Sequence, residues 1–123
     1  MKILIVEDEE ILVKVLQEKF QKENFKVEFT TEGDMVLPLA KKFNPDIILL
    51  DILLPKMNGL DVLTNLKFDE DLKNIPVIII SNIDEDQKIK QALELGAVDY
   101  LIKSQHPINE VVEMVNKHVL KAK

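Results

Sequence analysis

Helices on both faces of a five-stranded parallel sheet, a three-layer α/β/α sandwich, are predicted by three observations. The runs Ile3-Leu4-Ile5-Val6, Ile47-Ile48-Leu49-Leu50 and Val77-Ile78-Ile79-Ile80 are aliphatic throughout. Strands buried on both faces of a parallel sheet read this way. The stretches between the runs place apolar residues at helical spacing. Five strand-like and five helix-like segments alternate to the end of the chain, and right-handed crossovers between parallel strands then give three layers.

The first strand covers about 2–7 and leads into an amphipathic helix at about 9–22, with Ile11, Leu12, Val15, Leu16 and Phe20 inward. Acidic residues at its start suit the helix dipole, and Asn24 ends it. Val27-Glu28-Phe29-Thr30 alternates, as an edge strand does. Gly33-Asp34 opens a second helix with Met35, Val36, Leu39, Ala40 and Phe43 on one face; Pro38 requires it to begin late or bend near its start. After Asn44-Pro45 comes the central strand, about 46–51, and then a Pro- and Gly-punctuated loop. A third helix covers about 59–68, followed by a solvated connection over Asp69–Asn74. The next strand ends in Ser81. Asp84 is the expected N-cap of a helix lined by Ile89, Ala92 and Leu93 and stopped by Gly96. Tyr100-Leu101-Ile102-Lys103 is a short fifth strand. Pro107 starts the last helix, with Ile108, Val111, Val112, Val115 and Val119 inward.

At 123 residues and 46% apolar content, a single domain spanning 1–123 is expected. Its formal charge is −6, and all 16 basic residues are lysine. An acidic chain without arginine is poorly suited to nucleic acid. The absence of cysteine excludes disulfides, thiol chemistry and a cysteine-based zinc site, and fits the cytoplasm. No stretch reads as a signal peptide or membrane span. His106 and His118 have no partners at ligand spacing and are expected to be solvated.

The strand ends carry the chemistry. The first ends in Glu7-Asp8, the third in Asp51, the fourth in Ser81 and the fifth in Lys103. In a parallel sheet all of these lie on one edge, where ligands bind. Taken singly, Asp51 is a turn residue and Glu7-Asp8 a helix-start charge. Together they place three carboxylates, a hydroxyl and an ammonium at one crevice. Clustered carboxylates favour a hard cation such as Mg²⁺. A carboxylate nucleophile beside such an ion can form an aspartyl phosphate, with Lys103 and Ser81 suited to the phosphoryl oxygens.

The segments Ile3–Glu9, Pro45–Ile52, Leu54-Pro55 with Asn58-Gly59, Pro76–Ser81, Gly96–Leu101 and Lys103 resemble the receiver domain of bacterial two-component response regulators, of the chemotaxis type. The resemblance covers nearly the whole chain. It implies a flavodoxin-like sheet of order 2-1-3-4-5 and a signalling role in a phosphorelay, without turnover as an enzyme. Asp51 would accept a phosphoryl group from a histidine kinase or phosphotransfer protein. Asp8, Asp51 and the Leu53 main-chain carbonyl would hold Mg²⁺ (Mn²⁺ being the alternative), with Glu7 acting through water. Lys103 and Ser81 would bind the phosphoryl group, and Tyr100 would be the aromatic switch. The fourth helix, fifth strand and fifth helix would form the output surface toward an unknown downstream protein or an effector domain absent from this chain. The arginine-containing pattern by which many DNA-binding relatives dimerise cannot exist here, so a monomer is expected.

Three departures stand out. Ser104 replaces the proline usual after the lysine; a cis bond before a non-proline costs about 2.5–4 kcal/mol, so a trans bond with a shifted loop, or retained strain, is expected. Asn82 stands where the family prefers a small residue, narrowing the mouth or offering a hydrogen bond. Leu53 and Ile83, two residues after Asp51 and Ser81, are apolar and cannot orient a water, which points to slow self-dephosphorylation. Three rivals remain. A haloacid-dehalogenase-like phosphatase normally needs a second acid where Leu53 stands. A dinucleotide-binding module lacks its Gly-rich loop here. A receiver-like interaction module indifferent to phosphate would be expected to have lost Asp8, Asp51 or Lys103.

Overall fold

The aliphatic runs form the centre of the sheet. In this computed structural model, which describes residues 1–122, the elements are β1 (Lys2–Val6), α1 (Glu10–Lys22), β2 (Lys26–Thr30), α2 (Val36–Phe43), β3 (Ile47–Leu50), α3 (Gly59–Phe68), β4 (Val77–Ser81), α4 (Asp86–Glu94), β5 (Asp99–Ile102) and α5 (Ile108–Ala122). All strand pairings are parallel, in the order β2-β1-β3-β4-β5. Every residue of β3 and β4 is buried, whereas β2, at the edge, is largely exposed.

Alternate residues of the strands feed two cores, as the period of two requires. Leu4, Val6, Ile48, Leu50 and Ile79 pack toward α2, α3 and α4, against Val36, Ala40, Leu63 and Leu66. Ile3, Ile5, Ile47, Leu49, Ile78 and Ile80 pack toward α1 and α5, against Leu16, Phe20, Val111 and Val115. No helix is long and apolar enough to cross a membrane among the described residues.

Several local expectations are met and several are corrected. A 3₁₀ turn, Gly33–Met35, precedes α2, which begins at Val36 and so places Pro38 in its first turn. There the missing N–H has no intrahelical partner to lose. Asn24, at φ 68°, turns the chain out of α1. The N-cap of α4 is Glu85 rather than Asp84, and no side chain caps it. Ile11 (81% exposed), Val15 and Leu93 lie on outward faces, because the buried stripes of their helices are narrower than the apolar pattern suggests, and Met35, in the 3₁₀ turn, is exposed too. The connection after α3 is only partly solvated. Leu72, alone among charged neighbours, is buried, and the Lys67 ammonium donates to the carbonyls of Lys73 and Ile75. Neither histidine is simply solvated. His118 Nε2 lies 3.0 Å from Asp99 Oδ2, and His106 Nδ1 lies 3.0 Å from the Ile102 nitrogen.

One glycine ties the helical layer to the sheet edge. Gly59 begins α3 and its N–H donates to the Ile52 carbonyl at 2.7 Å. A Cβ here would overlap the Asp51 carbonyl oxygen and lie 2.5 Å from the Ile52 Cα. Alanine ordinarily favours a helix, but at this position it must push α3 off the end of β3. Gly59→Ala is expected to cost about 2–4 kcal/mol, read as a lowered urea midpoint with an unchanged slope.

Candidate functional site

Strand register assembles the site. Val6 is level with Leu50, so Glu7 and Asp51, one residue further on, emerge side by side. Leu50 is level with Ile79, and Ser81 is level with Ile102, which brings Ser81 and Lys103 to the same edge. Main-chain bonds continue past the strand ends: Asp51 N–H donates to the Val6 carbonyl at 2.9 Å, and Lys103 N–H to the Ser81 carbonyl at 2.9 Å. The functional groups are therefore fixed by the most regular part of the molecule.

The Lys103 ammonium lies among carboxylates. It donates to Glu7 Oε1 at 2.8 Å, to Asp51 Oδ2 at 2.9 Å and to Glu9 Oε1 at 3.2 Å. These bonds use all three donors of the ammonium. Glu7 and Asp51 are buried, and Asp8 is exposed at the rim. Asp51 Oδ1 accepts the Leu53 N–H at 3.0 Å. Burial first, and the Asp51 carboxylate second, push Glu7 from its ordinary 4.5 up to about 8, against the opposing pull of Lys103. Burial works to lower Lys103, but its bonds to Glu7 and Asp51 outweigh this and hold it above the ordinary lysine value.

The donor set fits a hard divalent cation. Glu7, Asp8 and Asp51 each offer an oxygen, and these lie within 4.8 Å of one another. Glu7 Oε2 is buried with no hydrogen-bond partner. An orphaned acceptor of this kind is costly unless something binds it, and oxygen-only ligation suits Mg²⁺ or Mn²⁺.

Ser81 and Tyr100 are joined through one residue. Ser81 Oγ accepts the Ile83 N–H at 3.2 Å, and the Tyr100 hydroxyl donates to the Ile83 carbonyl at 2.6 Å. The Tyr100 ring is already inside, and burial raises its phenol above the ordinary value. Leu53 is 57% exposed at the mouth. With Ile83 it borders a groove of about 450 Å³ that Met57, Leu60 and Lys88 also line. The Lys103–Ser104 peptide is trans, as are all peptide bonds among the described residues. Ser104 N–H donates to Asn82 Oδ1 at 3.1 Å, so Asn82 does offer a hydrogen bond.

The sequence-predicted site residues Glu7, Asp8, Asp51, Leu53, Ser81, Asn82, Ile83, Lys103 and Ser104 thus lie on one edge, at or just past the carboxyl ends of the strands, whereas Tyr100 lies within β5 and reaches that edge through its hydroxyl. Sequence reasoning missed Glu9. It precedes α1 and reads as helix-start charge, yet it caps nothing and turns to Lys103 instead. Nothing in the local sequence spacing signals that contact.

Comparison with known proteins gives the family. Residues 3–116 match the family model described as the response regulator receiver domain. The response regulator PleD of Caulobacter vibrioides is 39% identical over 111 residues, which are 90% of this chain and 24% of PleD. The chain spans less than half the length of this and the next curated relatives it matches. Among solved structures, the Francisella response regulator 1452 receiver domain superposes with a TM-score of 0.89 at 28% identity, covering 99% of this chain and 98% of that one. The Mn(2+)-bound form of response regulator Rcp1 has a TM-score of 0.79 at 27% identity, covering 94% and 89%.

Two substitutions of opposite sign probe the electrostatics. Asp8→Asn removes a like charge without breaking any bond described above, and should stabilise the protein in EDTA by about 1 kcal/mol, less at high salt. Lys103→Met leaves Glu7 and Asp51 buried without their cation and should cost about 2–4 kcal/mol in the same urea titration.

Proposed function

Because the chain belongs to the response regulator receiver domain family, we propose that Asp51 is its phosphoryl acceptor in a phosphorelay. The observation that carries this reading is the contact of the Asp51 carboxylate with Lys103, beside two further carboxylates at one end of a buried sheet. A carboxylate oxygen of Asp51 attacks the phosphorus of a phosphohistidine on a kinase or phosphotransfer protein. The O–P bond forms as the P–N bond breaks, and the released imidazole takes its proton from solvent. Lys103, already 2.9 Å from Asp51 Oδ2, moves its donors to the incoming phosphoryl oxygens. Ser81 gives up the Ile83 N–H and donates its hydroxyl to the same group.

Asp8, Asp51 and the Leu53 carbonyl would hold Mg²⁺ or Mn²⁺, with Glu7 acting through water. When bound, that ion neutralises charge on the phosphoryl oxygens. Tyr100, tied to Ile83, carries the change toward α4, β5 and α5, the output surface to a downstream protein or effector domain. In this reading the protein is a cytoplasmic monomer that is modified rather than one that turns over substrate. A haloacid-dehalogenase-like phosphatase is disfavoured by Leu53, an exposed apolar residue where its second acid is required.

Incubation with Mg²⁺ and acetyl phosphate is expected to add one phosphoryl group, seen by mass spectrometry. Removal of the metal or Asp51→Asn should abolish the gain, and a gain that survives Asp51→Asn assigns the chemistry elsewhere. The apolar mouth formed by Leu53 and Ile83 should make the phosphoryl group long-lived. Leu53→Asn, which can orient a water, is expected to shorten its half-life about fivefold, equivalent to about 1 kcal/mol of barrier; an unchanged half-life would remove Leu53 from this role.

A further inference from the structure

We infer that Asn82 is a positioning residue for Lys103, acting through the Ser104 amide. This rests on the phosphoryl-acceptor reading above and adds a residue to it. Main-chain pairing of β4 with β5 ends where Lys103 N–H donates to the Ser81 carbonyl. The chain then turns sharply. Gln105 N–H and His106 N–H both return to the Ile102 carbonyl, at 2.9 and 3.0 Å, and the Ile102 N–H meets His106 Nδ1. The turn is closed on itself and anchored by one residue. Between these bonds, Ser104 N–H is left with no main-chain acceptor. Asn82 Oδ1 takes it at 3.1 Å.

Asn82 is the first residue past β4, and Ser104 the residue after Lys103. The contact therefore extends the β4–β5 ladder by one side-chain rung beyond its last main-chain bond. Lys103 is held on both sides, by Ser81 through its own N–H and by Asn82 through the next one. A proline at 104 would have no N–H, and an alanine at 82 would have no acceptor. The two departures from the family pattern thus meet in a single hydrogen bond, in which one supplies the donor and the other the acceptor.

The consequence is mechanical. Ser81 and Lys103 are the two groups assigned to the phosphoryl oxygens. The Ser81 hydroxyl holds the Ile83 N–H, one residue past Asn82. Asn82 therefore ties the segment that Ser81 grips to the amide next to Lys103. The ammonium and the hydroxyl are placed for the phosphoryl group by one connected stretch of backbone.

The test has two arms. In unphosphorylated protein, Asn82→Ala is expected to speed exchange of the Ser104 amide about 2–10-fold, the worth of one hydrogen bond, and to shift the Lys103 ammonium resonance. Asn82→Asp, which keeps an acceptor, should retain the slow exchange. In the kinetic arm, phosphorylation by acetyl phosphate and Mg²⁺ should slow several-fold in Asn82→Ala, and Asn82→Ala should have no further effect once Ser104→Pro has removed the donor. Ser104 exchange that ignores position 82, or effects at 82 and 104 that simply multiply, would overturn the proposal. If the wild-type protein takes up no phosphoryl group at all, the acceptor reading fails instead, and amide exchange with the Lys103 resonance still decides whether Asn82 positions the lysine.

Discussion

One ammonium holds the functional edge together. Lys103 lies against Glu7 and Asp51, two carboxylates that the strand register forces side by side and that the aliphatic strands bury. Buried charges of like sign are stable only with compensation, and a single lysine compensates incompletely. The remainder shows as a raised Glu7 pKa and an oxygen with no partner. The site is thus built under electrostatic tension in a scaffold too regular to relax it. A divalent cation would match the carboxylates and so relieve part of that tension.

The regularity has a plain origin. Both faces of β1, β3 and β4 are covered, so none of these strands can slip by one residue without moving its whole side-chain set to the opposite core. Fixed register fixes the strand ends, and Gly59 fixes α3 hard against the end of β3. What varies among relatives can then be confined to the loops. Here the residues that depart from the family pattern, Leu53, Asn82, Ile83 and Ser104, all lie just past a strand end.

Most of this was legible in the sequence because buried parallel strands advertise themselves as unbroken aliphatic runs, and the residues that end such runs must share an edge. Glu7, Asp8, Asp51, Ser81 and Lys103 followed from that alone. Contacts made by long exposed side chains were not legible, because local spacing does not say where such a chain turns: Glu9 was the case. For Asn82 a hydrogen bond was expected, but not its partner, the Ser104 amide. Nor did the helical pattern reveal that Ile11 and Leu93 face outward, since short helices bury narrow stripes. Leu72 was hidden by its charged neighbours.

Ile83 is tied three ways: its N–H to Ser81, its carbonyl to Tyr100, and its side chain against the core beneath α2, α3 and α4. Ties that converge on one residue are not independent of one another. Such a joint couples its three partners: Ser81, Tyr100 and the core each bear on where the other two meet Ile83.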